Sequence, residues 1–348
     1  MMSIARVPRG SVSLGVAALL FSIVSSAHAV TIDWVTVGDP GNAADTTGYG
    51  AVADVFKIGK YEVTIQQYTD FLNAKAQSDP YSLYDTNMND ESNIAGISRA
   101  GSSGTYTYSV KVPAGSTPTG ANSPGNRPIA MLSWFRAARF VNWMENGQGS
   151  GSTETGAYTL NGATSGTFPA RNPGAEFFIP TEDQWYKAAF YKGGGTNAGY
   201  WDYATQSDTA PGNVIGSGSN RANYRLSNIY SVTQSSSYVI NQNYLTNIGA
   251  FTSNPSAYGT FDQSGNIAEL TDGTAAAGAT RYLRGGGWNF TASSALSVTY
   301  REAYANPAVA SAGIGFRLAA VPEPSTSCMA LAGLACGGYL VKRRRKRA

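Results

Sequence analysis

Apolar residues recur at helical spacing in three stretches of the chain. In the first stretch, Tyr68, Phe71 and Leu72 occupy positions i, i+3 and i+4, which places them on one face of a helix. Thr64 and Gln67 form the Thr-x-x-Gln pattern of a capping box just before this face. The pattern therefore predicts a helix that begins after Thr64 and buries its aromatic side.

Two further helices are predicted from their capping residues. One is N-capped by Ser133 and ends at Asn146-Gly147, and the other begins at Thr181 and is stopped by Gly193. Their predicted inward-facing residues are Ala137, Phe140, Val141 and Met144 in the second helix and Trp185, Ala188 and Ala189 in the third.

The rest of the chain shows little helical periodicity. Residues 55–63 alternate between apolar and polar and predict a strand, and Tyr282 and Leu283 indicate a second strand end. Residues 77–126 and 193–256 are rich in Gly, Ser, Asn, Thr and Tyr, a composition typical of loops with short strands. The pattern as a whole favours a domain with little regular secondary structure.

The N-terminus has the three parts of a secretory signal peptide. Arg6 and Arg9 form a basic region, residues 12–24 are mostly apolar, and Ala27-His-Ala29 fits a cleavage site. We therefore assign residues 1–29 to a signal peptide that directs export by the Sec pathway and is removed by signal peptidase. A membrane anchor is the alternative, although the apolar run is short for a span.

The C-terminus carries a second targeting pattern. Val321, Pro322, Glu323 and Pro324 precede an apolar run at 328–341 and a basic cluster at 342–347. Taken together, residues 321–348 resemble the PEP-CTERM sorting signal, which an exosortase recognises and cleaves in Gram-negative bacteria. The resemblance implies transient anchoring in the inner membrane and then a place at the cell surface or outside the cell. A plain membrane anchor is the alternative.

Charge separates the body of the chain from its ends. The formal net charge is +3. Arg6 and Arg9 give the N-terminal segment +2, and six basic residues less Glu323 give the tail +5, which leaves −4 for residues 30–320. An acidic body lacks the basic footprint of nucleic-acid binding, so we expect no nucleic-acid partner.

Histidine and cysteine are confined to the same two ends. His28 lies in the predicted signal, and Cys328 and Cys336 lie in the tail. The body therefore has no side chain for Ser-His-Asp or Cys-His catalysis, for disulfides, or for metal sites built on imidazole or thiolate. Sites for hard cations with oxygen ligands, above all calcium, remain possible.

A glycine corner near the end of the body carries the most distinctive motif. Three glycines from Gly285 to Gly287 stand between Arg284 and Trp288, where glycine permits positive φ and close backbone approach. A second marker follows about thirty residues later as Gly315-Phe316-Arg317. A structural turn with Trp288 as core filler is the simpler interpretation of the corner.

The two markers resemble the end of the formylglycine-generating enzyme family, also called the sulfatase-modifying-factor domain. Three further stretches resemble hallmarks of that family in the correct order: Gly59 to Thr64, Arg127 to Trp134 and Pro180 to Trp185. A fourth, from Ala257 to Thr271, resembles its Asp-x-x-Gly-Asn-x-x-Glu stretch. The resemblance implies an α+β fold, a single domain that is a variant of the C-type-lectin fold and spans residues 30–320.

The catalytic positions of the family are not occupied by catalytic residues in this chain. The resemblance places the two copper-binding cysteines at Phe290 and Ala295, and the serine of the motif at Gly287. Neither Phe nor Ala binds copper, so we expect no copper and no catalytic residue. The branch of the family with a histidine-bound iron is excluded because the body lacks histidine.

A calcium site of the family matches this chain better. The resemblance gives Asp262 and Glu269 as side-chain ligands, with the backbone carbonyls of Gly265 and Ile267. A second site would use Asn223 and the carbonyl of Tyr224. A solvated turn with salt bridges is the alternative for Asp262 and Glu269.

Four functions remain open from the sequence. The first is a non-catalytic binding or structural protein at the cell surface or in the extracellular matrix, with an unknown glycan or protein ligand. The second is a formylglycine-generating oxidase, and the third is an enzyme that uses the carboxylates of Glu176, Glu182 or Asp183. The fourth is a ligand-binding variable protein, a class whose members end in a similar way.

Overall fold

The computed structural model describes residues 29–94, 96–112 and 123–322. Residues 1–28 of the predicted signal peptide and the tail from Glu323, including Pro324 of the sorting motif, lie outside the described residues. Within those ranges, every helix is too short or too polar to traverse a bilayer. The described residues form a single α+β domain with little regular secondary structure, as predicted.

The three predicted helices are confirmed, and their caps explain where they begin. The Thr64 hydroxyl accepts from the Gln67 amide at 3.2 Å while the Gln67 side chain accepts from the Thr64 amide at 2.8 Å. Thr181 forms the same reciprocal pair with Gln184, and the Ser133 hydroxyl accepts from the Arg136 amide. The helices of the described residues are α1 (Ile65–Lys75), a single turn α2 (Asn87–Asp90), α3 (Trp134–Glu145) and α4 (Glu182–Phe190).

The predicted end of the third helix at Gly193 is wrong. Helix α4 ends at Phe190, and Tyr191 is extended at its C-cap. Tyr191 forms an antiparallel bridge with Tyr200, and its ring packs edge-on against the Tyr200 ring. A contact with a loop residue therefore ends the helix before the glycine does.

Two four-stranded sheets organise the domain. The first has the order β1 (Trp34–Val37), β2 (Phe56–Gly59), β12 (Ala319–Ala320) and β5 (Phe177–Phe178), with all pairs antiparallel. The second has the order β10 (Glu302–Tyr304), β9 (Arg281–Arg284), β8 (Ala268–Thr271) and β11 (Ile314–Gly315), with β11 parallel to β8. Two hairpins complete the strands: β3 (Ile97–Ala100) with β4 (Thr107–Val110), and β6 (Arg225–Leu226) with β7 (Ile229–Tyr230).

The strand predicted at residues 55–63 is shorter than expected. It pairs with its neighbours only over Phe56–Gly59, because the chain leaves the sheet at Lys60. The Lys60 amide then donates to the Asp33 carbonyl, and the Val63 amide donates to the Phe316 carbonyl. This turn carries Glu62 away from the sheet surface and into the interior.

The main apolar core lies between the helices and the sheets. Tyr68 stacks on Phe140 with ring centroids 6.0 Å apart, and Phe71 packs edge-on against the same ring at 5.4 Å. Phe140 in turn packs edge-on against Phe316 at 5.6 Å, so the motif near the C-terminus is part of this core. The predicted inward-facing residues of α1 and α3 are buried, as expected from their spacing.

Candidate functional site

The glycine corner follows directly from strand β9. Positive φ occurs at Gly285 (89°) and Gly286 (64°) but not at Gly287, which corrects the expectation for that residue. The Gly265 amide donates to the Gly285 carbonyl at 2.7 Å, and Trp288 stacks on Tyr244 with centroids 5.0 Å apart. Because Trp288 is buried in the main core, the corner has the structural role that the simpler interpretation gave it.

A buried ion pair joins the second family marker, Gly315-Phe316-Arg317, to the predicted calcium stretch. Arg317 donates to both carboxylate oxygens of Glu269, at 2.5 and 2.6 Å, and Trp185 donates to the same carboxylate at 2.8 Å. Arg317 also donates to the Gly59 and Phe261 carbonyls. Both charged side chains have no exposed surface. The arrangement is a structural clamp between β8 and the C-terminal segment, and sequence reasoning did not identify it.

Two more carboxylates lie close to this clamp. Glu62 is almost fully buried; one of its oxygens accepts from the Asn266 amide at 3.1 Å, and the other has no hydrogen-bond partner. Burial raises the pKa of Glu62 well above its usual range, and burial raises the pKa of Asp262 to about 6. Both carboxyls interact with Arg317 and Glu269. The cluster therefore has three carboxyl groups for one guanidinium.

The residues of the predicted first calcium site lie on one loop and the strand after it, but Glu269 is engaged elsewhere. Asp262 accepts from the Gly249 amide at 2.6 Å, while both oxygens of Glu269 are bound by Arg317. Ile267 and Glu269 are fully buried, so a solvated turn does not describe Glu269. The calcium assignment stays a prediction.

The residues of the second predicted site are hydrogen-bonded within the protein. The Asn223 amide donates to the Tyr244 carbonyl at 2.9 Å and to Asn266 at 3.1 Å, and the Tyr224 carbonyl accepts from Asn213 and Ser231. Across the ranges that the structure describes, no three His, Cys, Asp or Glu side chains are grouped so as to hold a metal ion. A cation at either predicted site would depend on fewer carboxylates and on carbonyl groups.

The three carboxylates considered for an enzyme do not converge on one cavity. Glu182 lies between two arginines, with Arg284 at 2.9 Å and Arg301 at 2.6 Å. Asp183 accepts from the Gly50 amide at 2.8 Å, and Glu176 is exposed near the last described residues. Glu182 is therefore engaged in ion pairs that support the fold, since its partner Arg284 is itself buried on strand β9.

The positions matched to the copper-binding cysteines are packed with apolar neighbours. The Phe290 ring packs edge-on against Tyr300, with centroids 5.8 Å apart. Ala295 is buried in a short 3-10 turn, Ser293–Leu296, where it lies in an apolar cluster with Leu296 and Tyr224. A side chain at Gly286 would meet the Ala295 carbonyl at 2.8 Å, so the corner and this turn are in close contact.

A cleft of about 560 Å³ lies beside the Phe290 position, over the second sheet, and we call it the sheet cleft. Each strand of that sheet contributes to its lining: Ala268 from β8, Leu283 from β9, Glu302 to Tyr304 from β10 and Ile314 from β11. Asn289, Phe290 and the loop from Ala305 to Gly313 complete the walls. Its lining combines apolar surface with a few polar groups, as is common in ligand sites.

Comparisons with protein families give two matches to this chain. The family model described as the sulfatase-modifying factor enzyme 1-like domain matches residues 31–321. The PEP-CTERM protein-sorting motif matches residues 320–346. The two matches meet at the end of strand β12, so the sorting segment begins where the domain ends.

Solved structures resemble this chain only distantly. Treponema denticola variable protein 1 is 18% identical with a TM-score of 0.49, over 85% of this chain and 98% of that one. CarF is 20% identical with a TM-score of 0.49, over 84% and 99%, and PvdO from Pseudomonas aeruginosa is 15% identical with a TM-score of 0.40, over 84% and 92%. A search of curated proteins finds no match. These identities and TM-scores are too low to transfer a ligand or an activity.

Proposed function

Because the chain belongs to the family of sulfatase-modifying factor enzyme 1-like domains, we propose that it is a non-catalytic member that binds a ligand outside the cell. The sorting motif indicates export, processing by an exosortase, and a place at the bacterial cell surface or outside it. Our proposal includes the variant of the C-type-lectin fold that the resemblance implies, and a glycan or protein as the ligand. Fold alone does not assign such a role, so the proposal depends on the site.

The replacement of both copper ligands is the observation that carries this proposal. The resemblance matches Phe290 and Ala295 to the family's two cysteines, and both residues contribute to apolar packing. Copper needs thiolate, imidazole or other donor side chains, which neither residue supplies. A catalytic role would require another donor in the body, and the body contains no cysteine or histidine.

The sheet cleft is the surface that we assign to the ligand. Phe290, one of the two positions matched to the family's catalytic cysteines, lines this cleft, and the cleft floor is formed by a four-stranded sheet rather than by loops alone. Strand β10 is an edge strand, so the backbone groups on its outer side have no neighbouring strand in the described sheet. Edge backbone, apolar walls and the amides of Asn289 and Asn306 suit a ligand with both polar and apolar surface.

Filling the sheet cleft should abolish binding without unfolding the domain. Ala303 is exposed in the middle of β10, so arginine there should occupy the cleft and leave the core intact. We expect Ala303→Arg to weaken binding at least about tenfold, or 1.4 kcal/mol. The ligand is first found by glycan-array and pull-down screens with the mature chain, and the dissociation constants of the variants are then measured.

Ala308→Arg is the matched control, because Ala308 is exposed on the loop that forms one wall but is not itself a lining residue of the cleft. Equal dissociation constants for the two variants would place the ligand elsewhere.

In parallel, a sulfatase-type cysteine peptide is incubated with the chain with and without copper, beside a catalytic family member. We expect no formylglycine from this chain, and copper-dependent turnover would establish the oxidase instead.

Calcium is retained as part of the proposal, with a changed set of ligands. The support is the excess of buried carboxyl groups around Arg317 and the Glu62 oxygen that lacks a partner. Asp262, Glu62 and the carbonyls of Gly265 and Ile267 would hold the ion, whereas Glu269 stays with Arg317. A bound cation would offset the repulsion between the two carboxylates, as it does in other oxygen-ligand sites.

Calcium should therefore raise the melting temperature of the body through Asp262. At 100 times its dissociation constant, a ligand that binds only the folded state adds about 2.7 kcal/mol, which corresponds to a shift of several degrees. Calorimetry in calcium and in EDTA should show this shift in the natural chain and not in Asp262→Asn. Asp54→Asn, which removes an exposed carboxylate, should keep the shift. A natural chain that melts at one temperature under both conditions has no such site.

A further inference from the structure

The last described residues leave the domain from the middle of a sheet. Strand β12 lies between β2 and β5, and the Val321 amide extends the pairing by donating to the Glu176 carbonyl at 3.0 Å. Val321 and Pro322 then line a cleft of about 680 Å³, which we call the exit cleft. The chain therefore leaves the folded domain at a fixed point on the surface, beside the exit cleft.

An arginine without a complete set of partners lines the exit cleft. The Arg171 guanidinium lies 4.0 Å from the centroid of the Phe178 ring, and its Nη1 atom is buried without a hydrogen-bond partner. A buried donor with no acceptor costs about 1–3 kcal/mol, and more when it is charged. A planar guanidinium fits a carboxylate, which can accept two of its hydrogen bonds. The cleft therefore has one position prepared for a carboxylate.

The charges at the mouth of the cleft limit which carboxylate can reach it. Asp54 and Glu176 are exposed and line the same cleft, so a free polyanion would be repelled as it approached. Their effect on a group held close to Arg171 is weaker, because exposed charges are screened by water and salt. A single carboxylate that is already tethered at the mouth avoids most of this repulsion.

We propose that the exit cleft binds the sorting segment of this chain, with the Glu323 carboxylate on Arg171. Glu323 directly follows Pro322, which lines the cleft, so the proposed contact is one residue along the chain from the cleft lining. Tethering gives such a group an effective concentration on the order of millimolar. The folded body is then a receptor for the acidic residue of the sorting motif, and an exosortase must displace the body before it can bind that residue.

Cross-linking in the full chain tests this contact. Both natural cysteines are changed to serine, and Ala175→Cys on the cleft wall is combined with Pro324→Cys in the motif. A disulfide requires Cα atoms within about 7 Å, so its rate of formation reports docking of the segment. We expect Glu323→Gln and Arg171→Gln each to slow cross-linking about tenfold, the factor for 1.4 kcal/mol. Glu323→Gln lies outside the body and cannot act by unfolding it.

The matched control is Lys57→Gln, because Lys57 lines the smaller pocket on the other side of Val321. This variant should cross-link at the rate of the parent chain. Three results would overturn the proposal. They are an unchanged cross-linking rate in both Glu323→Gln and Arg171→Gln, a lower rate in Arg171→Gln alone, or a lower rate in Lys57→Gln alone. The second result would assign Arg171 to a different anion, and the third would place the motif in the smaller pocket. Acetate at constant ionic strength should slow cross-linking only in chains that keep Arg171.

Discussion

Arg317→Met should lower the free energy of unfolding by about 3–5 kcal/mol, the usual cost of removing one partner from a buried ion pair. The variant leaves the Glu269 carboxylate without its cation in a site that has no exposed surface. It also removes the only nearby guanidinium that offsets Glu62 and Asp262. The Gly59 and Phe261 carbonyls lose their donors at the same time. Trp185 and Asn266 still donate hydrogen bonds to Glu269 and Glu62, but neither side chain carries a positive charge.

Thermal unfolding followed by circular dichroism measures this effect. For a domain of similar size, each kcal/mol corresponds to about 2–4 °C in the melting temperature, so a fall on the order of 10 °C is expected. Arg301→Met is the control, because Glu182 keeps Arg284 when Arg301 is removed and Arg301 is partly exposed. Equal losses in the two variants would show that the Arg317 clamp has no special role.

A double replacement separates the charge from the packing. Arg317→Met combined with Glu269→Met removes both charges, and exchange of a buried ion pair for apolar residues is often neutral or stabilising. We expect this double variant to melt above Arg317→Met alone. If it melts lower, the loss in the single variant comes from missing contacts of the arginine stem and not from the unpaired carboxylate.

Gly265→Ala should have the second largest effect, about 2 kcal/mol or more. Gly265 has φ of 95°, a conformation that costs residues with a Cβ about 1–2 kcal/mol. The added Cβ would also lie 2.4 Å from the Asn223 carbonyl oxygen, which is a backbone atom. That carbonyl accepts from the Asn266 amide at 2.8 Å and cannot move without breaking this bond. Strain and steric overlap therefore add at one position.

Gly278→Ala isolates the strain from the overlap. Gly278 also has positive φ, at 68°, but a Cβ there would meet no atom within 4 Å. Chemical denaturation of the two variants should show a clearly larger loss for Gly265→Ala, with the Gly278→Ala loss near 1 kcal/mol. If the two losses are equal, the Asn223 backbone yields easily and the loop is less rigid than its hydrogen bonds indicate.

The helix starts were predictable because capping depends on residues close in sequence. Thr64 and Gln67 are three residues apart, and their reciprocal hydrogen bonds need no contact with distant segments of the chain. The end of α4 was not predictable in the same way. The antiparallel bridge between Tyr191 and Tyr200 requires a loop to fold back onto the end of the helix, and no local sequence pattern predicts this contact.

The candidate site shows the same division. Residue identity determined that the body lacks cysteine and histidine, which excludes metal sites built on thiolate or imidazole, since donor chemistry is a property of each side chain. The sequence also determined that the chain ends in a sorting motif. Only the tertiary structure decided that Glu269 is held by Arg317 and that Glu62 lies next to Asn266, 204 positions away in the chain. Burial and pairing of charges depend on which distant segments pack together, and that packing fixes whether a carboxylate is a ligand, a buried acid or half of an ion pair.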